Sequence, residues 1–323
     1  MSSDFVFGVD GGGTWTRCVV MNLKGEVVST GRSGPSNPIT MGIEGAVANI
    51  LEAVDLAKQG VGVSEFKASV LGLAGIARSY LRDEIKSRLP DSYGVTMLVS
   101  DARSALAGAT GCKPGVVVIA GTGSIAYGMN NAGSEVRAGG WGWRLGDEGS
   151  GYTIGNNAVI AALRAYDGSG PTTILLEWIL DELGLSDADD IIDWTYSKDR
   201  QPRHFAEFVP LVKKAEREGD RVAAEIMFDA GAELGRITQA VIKRLNLRGG
   251  FPVACYGGVF LQPNRYNVAF EKTVRQVAGG CDFIEPLFSP TVGSGLLALE
   301  SVGVVVDDAV LTRVDESLRC LDD

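Results

Sequence analysis

The sequence predicts an α/β protein of two domains. Three observations lead there: a length of 323 residues, about twice that of a common domain; an opening of short apolar strands followed by alternating helix and strand; and a restart of that opening at Gly115. Residues 5–9 form the first apolar run, which stops at Asp10-Gly-Gly-Gly-Thr14. Residues 16–21 are again β-branched and apolar, 22–25 read as a hairpin turn, and 26–30 as a third strand. From 45 to 58 the apolar residues Val47, Ile50, Leu51 and Val54 recur at helical spacing. A buried strand follows at 68–74, a helix at 78–88, a strand at 95–99 ending at Ser100-Asp101, and a helix at 102–109.

The second opening runs from a buried strand at 115–120 through Gly121-Thr-Gly-Ser124 to a strand at 125–128. The two openings match as apolar strand, Gly/Thr-rich turn and apolar strand, which reads as an internal duplication. Residues 155–245 are mostly helical by period, with a polar break near 196–203. Residues 251–256 form a further strand ending at Gly257-Gly258, and the last clear helix runs from about Gly293 through Leu299.

Composition narrows the chemistry. A net charge of −10 without a basic run disfavours nucleic acid and anionic membranes, because phosphates are held chiefly by Lys and Arg. A single histidine, His204, rules out His-rich zinc sites and two-histidine relays; in its polar stretch it reads as a surface residue. Five widely spaced cysteines (18, 112, 255, 281 and 320) without a C-x-x-C read as small hydrophobes or free thiols. With no leader-like N-terminus and no run near the ~20 apolar residues of a membrane span, the expected location is the cytoplasm.

Three strands end in glycine turns: Asp10-Gly-Gly-Gly-Thr14, Gly121-Thr-Gly-Ser124 and Gly257-Gly258. Without a Cβ, backbone N–H groups can converge on an anion, and Thr or Ser adds a hydroxyl donor. One such loop alone is most simply a tight turn; three favour phosphate. No G-x-x-x-x-G-K-[ST] or G-x-S-x-G exists, and Gly293-Ser-Gly-Leu-Leu-Ala298, which formally fits G-x-G-x-x-A, lies too near the end for a full dinucleotide unit. Asp10, where the first strand meets its loop, is placed to hold Mg²⁺ through water. Asp101 ends another strand and is placed to accept a proton from a hydroxyl attacking a phosphoryl group, or else to cap the helix at Ala102; the two roles are compatible. Residues 139–151, with six glycines, two Trp, Asp147 and Glu148, read as a binding loop for a polar ring.

In this order, D-G-G-G-T (10–14), S-D-A (100–102), A-G-T-G-S (120–124), G-W-R-L-G-D-E-G-S (142–150) and Y-G-G-V (256–259) resemble the BadF/BadG/BcrA/BcrD ATPase family, and within it the N-acetylglucosamine and glucosamine kinases. The resemblance spans about residues 5–300. It implies an actin-like, ribonuclease-H-like fold with nucleotide and sugar in an interdomain cleft that closes on the sugar. The expected domains are 1–115, completed by 304–323, and 116–303.

Carried over residue by residue, the resemblance implies ATP and Mg²⁺ as cofactors and a small amino sugar as the partner. Gly11, Gly12, Gly13 and Thr14 would form the first phosphate loop with Asp10 beside Mg²⁺. Thr122, Gly123 and Ser124 would form the second, Ser124 also meeting the sugar, and Gly257 and Gly258 would flank adenosine. Asp101 would be the base for the sugar's 6-hydroxyl, while Asn37, Gly140 and Asp147 would bind the ring. The loop around 140–151 leans toward N-acetylglucosamine, with glucosamine the alternative. Rival readings are an ATP-driven dehydratase activator, which needs cysteines for a [4Fe–4S] cluster, and a non-catalytic sugar or nucleotide sensor. The zinc-containing bacterial sugar kinase and repressor family needs a Cys/His cluster that is missing. The sequence leaves monomer and homodimer both open.

Overall fold

The computed structural model describes residues 4–262 and 264–322. The chain divides into two compact units, one comprising residues up to Gly115 and from Glu285 onward, the other Val116–Ile284. The C-terminal return to the first unit therefore starts near residue 285, and the helix at 290–301 lies there rather than in the 116–303 segment expected to be the second domain. The reason is packing by small residues.

The first unit opens with β1 (Phe5–Gly11), β2 (Thr16–Asn22) and β3 (Val27–Ser33), joined as antiparallel neighbours. Asn22 makes the expected turn: its Oδ1 accepts the N–H groups of Lys24 and Glu26, both at 3.0 Å. Helix α1 (Pro38–Gln59) begins well before the expected residue 45, because Asn37 caps it and Pro38 suits a first turn. Its first turn is set off by a break at Gly42 (φ 72°), which hides the helical period at that end. Then come β4 (Ala68–Leu73), α2 (Ser79–Lys86), β5 (Val95–Ser100) and α3 (Asp101–Thr110). The sheet order is β3-β2-β1-β4-β5, with β4 parallel to both β1 and β5.

The first unit closes with α11 (Pro290–Ser301) and α12 (Asp308–Asp322), the latter a helix missed by the sequence reading. In α12 Val310 and Val314 are buried and Leu311 and Leu318 pack half-buried beside them, while Ser317 Oγ accepts the Val27 N–H at 2.9 Å; so narrow a stripe in an acidic tail gives little helical signal. Helix α11 contains Gly293-Ser-Gly295, and its glycines are there for packing, not for a dinucleotide. A Cβ on Gly8 of β1 would overlap Gly295 N, and one on Gly293 would overlap the Ser104 carbonyl of α3. Ser294 Oγ donates to the Val9 carbonyl at 2.7 Å and pairs with Ser104 Oγ at 2.8 Å. Strand β1 and helices α3 and α11 are thereby locked at backbone contact.

The second unit repeats the plan. Its sheet, β10-β9-β6-β7-β8, is built from β6 (Gly115–Ala120), β7 (Ser124–Met129), β8 (Glu135–Gly139), β9 (Pro252–Tyr256) and β10 (Asp282–Ile284). Read from β8, this is the strand order of the first sheet, so the duplication extends from a β-turn-β unit to a whole sheet. Strands β8 and β10 were not anticipated: β8 is polar and partly exposed, and β10 has three residues. The helical stretch resolves into α4 (Gly151–Tyr166), α5 (Leu175–Leu183), α6 (Asp190–Tyr196), α7 (Pro202–Ala206), α8 (Val209–Arg217) and α9 (Arg221–Leu245), and α10 (Arg265–Arg275) follows β9. His204 is structural: its Nδ1 accepts the Gln201 N–H at 3.0 Å at the start of α7.

Overpacking a tight core costs about 1–3 kcal/mol, and more where backbone must move. Gly8→Ala is therefore expected to lower the urea midpoint of the protein with little change in the slope of the transition; an unchanged midpoint would show that α11 yields freely.

Candidate functional site

In the first unit the expected residues gather where β1, β4 and β5 end. Asp10 pairs with Gly72 of β4, which pairs with Val99 of β5, so Asp10 lies in the row two residues before Asp101, where α3 starts. Beyond Asp10 the chain folds back, with the Gly12 N–H donating to the Trp15 carbonyl at 3.0 Å. The Gly12 carbonyl accepts the N–H groups of Ser36 (3.0 Å) and Asn37 (3.2 Å), tying the first glycine loop to the segment that carries Asn37. The Asn37 Oδ1 accepts the Ile39 N–H at 3.0 Å, so its carbonyl side is used by the helix cap. Gly13 and Thr14 are exposed, and a Cβ at Gly13 would meet nothing within 4 Å.

Asp101 does not cap its helix. That position belongs to Ser100, whose Oγ accepts the Arg103 N–H at 3.2 Å, while Asp101 sits in the first turn and its Oδ1 accepts the Ala102 N–H at 2.9 Å. The cap role considered from the sequence is thus filled by the preceding residue, which leaves Asp101 to other work. Burial raises the Asp101 carboxyl above its ordinary range, against the pull of backbone N–H groups. The Asp10 carboxyl is pushed up to about 6, first by burial and then by the charge of Asp101, with Arg17 pulling the other way. A like charge nearby makes ionisation of Asp10 less favourable than burial alone would.

The second unit builds its loops side by side. A Cβ on Gly257 (φ 109°) would overlap the Ala120 carbonyl, and the Val259 N–H reaches that carbonyl at 3.3 Å, so the turn after β9 rests against the turn after β6. The 121–124 turn is held from the other side by the start of α4: the N–H groups of Gly151 and Tyr152 donate to the carbonyls of Gly121 (2.8 Å) and Thr122 (3.1 Å). Asp147, in a left-handed conformation (φ 65°), is buried with its carboxylate against Gly123, and its Oδ1 accepts the Ser124 N–H at 3.3 Å. Ser124 Oγ donates to the Glu148 carbonyl at 2.7 Å, and its own carbonyl accepts the Gly140 N–H at 2.9 Å. Ser124, Gly140 and Asp147 are therefore brought together, with Asp147 turned toward the 123–124 backbone.

Which glycines face a ligand can be told from what a Cβ would meet. Gly11, Gly123 and Gly257 would collide with protein, so packing alone explains them. Gly13, Gly121 and Gly258 would meet nothing within 4 Å and have no left-handed φ. For these three, neither fold nor strain demands glycine. Gly121 was named in the sequence as part of the second glycine turn but given no role of its own.

A profile of the BadF/BadG/BcrA/BcrD ATPase family matches residues 7–298. The chain belongs to that family. It is 37% identical over 251 residues to the N-acetylmuramic acid/N-acetylglucosamine kinase of Clostridium acetobutylicum, covering 76% of this chain and 81% of the relative. It is 32% identical to the N-acetyl-D-glucosamine kinase of Dictyostelium discoideum, over 93% of this chain and 99% of the relative. A crystal structure described as a putative N-acetylglucosamine kinase from Chromobacterium violaceum superposes with a TM-score of 0.74 at 30% identity, covering 93% of this chain and all (100%) of that one. The matched sheets of this family member are the actin-like ATPase fold. Among the described residues no helix is long and apolar enough to cross a membrane.

A family of ATPases implies Mg²⁺. No group of three or more His, Cys, Asp or Glu gathers as a metal cluster among the described residues, but Mg²⁺ with a nucleotide needs only one or two carboxylates beside water and phosphate oxygens. The Asp10–Asp101 pair, strained by burial and like charge, fits that requirement.

The same pair sets a pH dependence. Asp10 holds its proton more tightly folded (about 6) than at its ordinary value of 3.8. Its ionisation thus costs stability as pH rises through about 6, and costs nothing below about 4. Asp10→Asn is expected to be more stable than the parent by about 3 kcal/mol at pH 8 in chelator, the difference shrinking to a fraction of that near pH 4. Urea titrations at the two pH values check this.

Proposed function

We propose that the chain is an ATP-dependent kinase that phosphorylates the 6-hydroxyl of N-acetylglucosamine. The observation that carries the reading is Asp101: a carboxylate freed from capping, held in the first turn of α3 near Asp10, in a chain similar over most of its length to kinases of that sugar.

In this reading Asp101 accepts the proton of the hydroxyl as its oxygen attacks the γ-phosphorus and the bond to the β-phosphate oxygen breaks. Burial raises the Asp101 pKa, and a carboxylate with a raised pKa is a better base than an ordinary Asp. Mg²⁺, when bound, offsets the charge of the phosphates; Asp10 holds it through water. Gly11 to Gly13 and Thr14 in the first unit, and Thr122 and Gly123 in the second, offer N–H and hydroxyl donors to phosphate oxygens. Gly257 and Gly258 flank the adenosine. Asn37 is tied to the first glycine loop through the Gly12 carbonyl, which suits a residue that aligns the sugar with the phosphates. Ser124, Gly140 and Asp147 contribute the remaining ring contacts, and Asp147 also fixes the 123–124 backbone. Five free cysteines suit a reducing cytoplasm.

A phosphorylation screen of N-acetylglucosamine, glucosamine, N-acetylmuramic acid, N-acetylmannosamine and glucose is expected to give the highest kcat/KM with N-acetylglucosamine. Preference for an unacetylated sugar would overturn the substrate assignment. Asp101→Asn is expected to lower kcat by a factor on the order of 10²–10⁴ with ADP binding retained; near-normal kcat would remove Asp101 as the base. Asn37→Ala is expected to raise the sugar KM about tenfold, as for one lost polar contact, leaving the ATP KM within about twofold; an unchanged sugar KM would free Asn37 from the ring.

A further inference from the structure

Helix α8 carries three long charged side chains on one face, Lys213, Glu216 and Arg217, at the i, i+3, i+4 spacing that stacks neighbours on a helix. They reach the turn after β9 and the first residue of α10. Lys213 is 8% exposed, and its Nζ donates to the carbonyls of Gly258 (3.1 Å) and Leu261 (2.7 Å). Glu216 Oε1 accepts the N–H of Arg265 at 3.0 Å, at the first turn of α10. Arg217 reaches the Gln262 side chain at 3.1 Å. Gly257 and Gln262 both adopt left-handed backbone (φ 109° and 63°), so the chain bends sharply at each end of the stretch that Lys213 grips.

A buried lysine is a costly way to satisfy two carbonyls, since ammonium groups lose hydration when covered. Burial indeed pulls the Lys213 pKa down, with Glu216 resisting. In the same stretch, a side chain at Gly258 would meet nothing within 4 Å. The residue whose carbonyl Lys213 grips thus also faces open space, which is the geometry of a ligand-bearing turn held by a support.

We propose that Lys213 and Glu216 are positioning residues for the nucleotide: α8 fixes the turn after β9 at Gly258 and Leu261 and the start of α10 at Arg265, so that the turn presents Gly258 to adenosine in one geometry. The inference rests on the reading of Gly257 and Gly258 as the adenosine turn. It assigns to α8 an effect on ATP with none on the sugar or the proton transfer, because Lys213 and Glu216 contact neither the 123–124 turn nor Asp147 through any hydrogen bond described above. The pair must act together: Lys213 sets the two carbonyls of the turn, and Glu216 sets where α10 begins.

The test is Lys213→Met, which keeps the length and apolar stem and removes the donors, run beside Gly258→Val. ADP affinity is read by calorimetry, KM by steady-state kinetics with each substrate varied in turn, and folding by the thermal midpoint. The expected result for Lys213→Met is a KM for ATP and a Kd for ADP raised about tenfold, the loss of charged hydrogen bonds. The KM for N-acetylglucosamine and kcat stay within about twofold. Gly258→Val is expected to weaken ADP similarly without lowering the thermal midpoint, since its side chain enters free space. If Lys213→Met binds ADP as the parent does while Gly258→Val does not, the support role is wrong and the adenosine turn stands. If neither variant affects ADP, the adenosine turn itself is misassigned and the inference falls with it. A lowered midpoint with both KM values and kcat shifted alike overturns the inference in favour of a purely structural lysine. Should Lys213→Met not fold, Glu216→Ala is read by the same criteria.

Discussion

Two carboxylates that repel one another, Asp10 and Asp101, are held at one edge of the first sheet, and much of the packing of that unit bears on keeping them there. Their proximity is unfavourable in the absence of a cation: burial and mutual charge both raise the Asp10 pKa. Such strain persists only where the surroundings over-determine it. Here they do so through glycine and serine. Asp10 is the penultimate residue of strand β1 and Asp101 the first of helix α3, and α11 is pressed against both elements through Gly8, Gly293, Gly295 and the Ser294–Ser104 hydrogen bond. A larger residue at Gly8 or Gly293 would meet backbone across the contact and push α11 away from β1 or α3, disturbing the frame that holds the carboxylates.

The second unit applies the same sheet to a different end. Its loops hold Asp147 beside Glu148, whose charge adds to burial in raising the Asp147 pKa, and they offer backbone donors. What keeps those donors aimed is a set of braces that are themselves polar: Asp147 under the 123–124 turn, the start of α4 under Gly121 and Thr122, and Lys213 behind the turn after β9. Glycine plays two parts in these loops. At Gly257 it permits backbone to touch backbone, and at Gly13, Gly121 and Gly258 it leaves room beyond the protein. The second class is the informative one for function, because no demand of the fold accounts for it.

Much of this was legible in the sequence. The strands that bear the site are apolar, short and bounded by glycine, so β1, β4, β6 and β9 stood out, and with them Asp10, Asp101, the 121–124 turn and Gly257-Gly258. The elements that escaped notice are those whose stability comes from partners distant in sequence. Strand β8 is half-polar, β10 has three residues, α10 is highly charged, and α12 buries only a narrow stripe against the first sheet. Helix α1 was recognised late because Gly42 interrupts its period. At the site, Ser100 displaced Asp101 as the helix cap, a choice between adjacent polar residues that only the backbone geometry makes. Lys213 could not be found at all: a lone lysine on an amphipathic helix reads as solvated until its ammonium is seen against two carbonyls. Asp147 was noticed as acidic in a glycine-rich loop, yet its left-handed backbone and inward carboxylate depend on Ser124, 23 residues earlier.

The central claim is that Asp10 and Asp101 form one electrostatic unit completed by a magnesium nucleotide. Carbon-13 NMR titration of the aspartate carboxyl groups, assigned through single Asn variants, tests it most directly. The account predicts that Asp10 titrates near 6 in the free protein, drops when Asp101 is replaced by Asn, and drops again when Mg²⁺ and ADP are added to the parent. An Asp10 that titrates at about 4, as an isolated carboxyl does, and ignores both the Asp101 replacement and Mg²⁺ would contradict it.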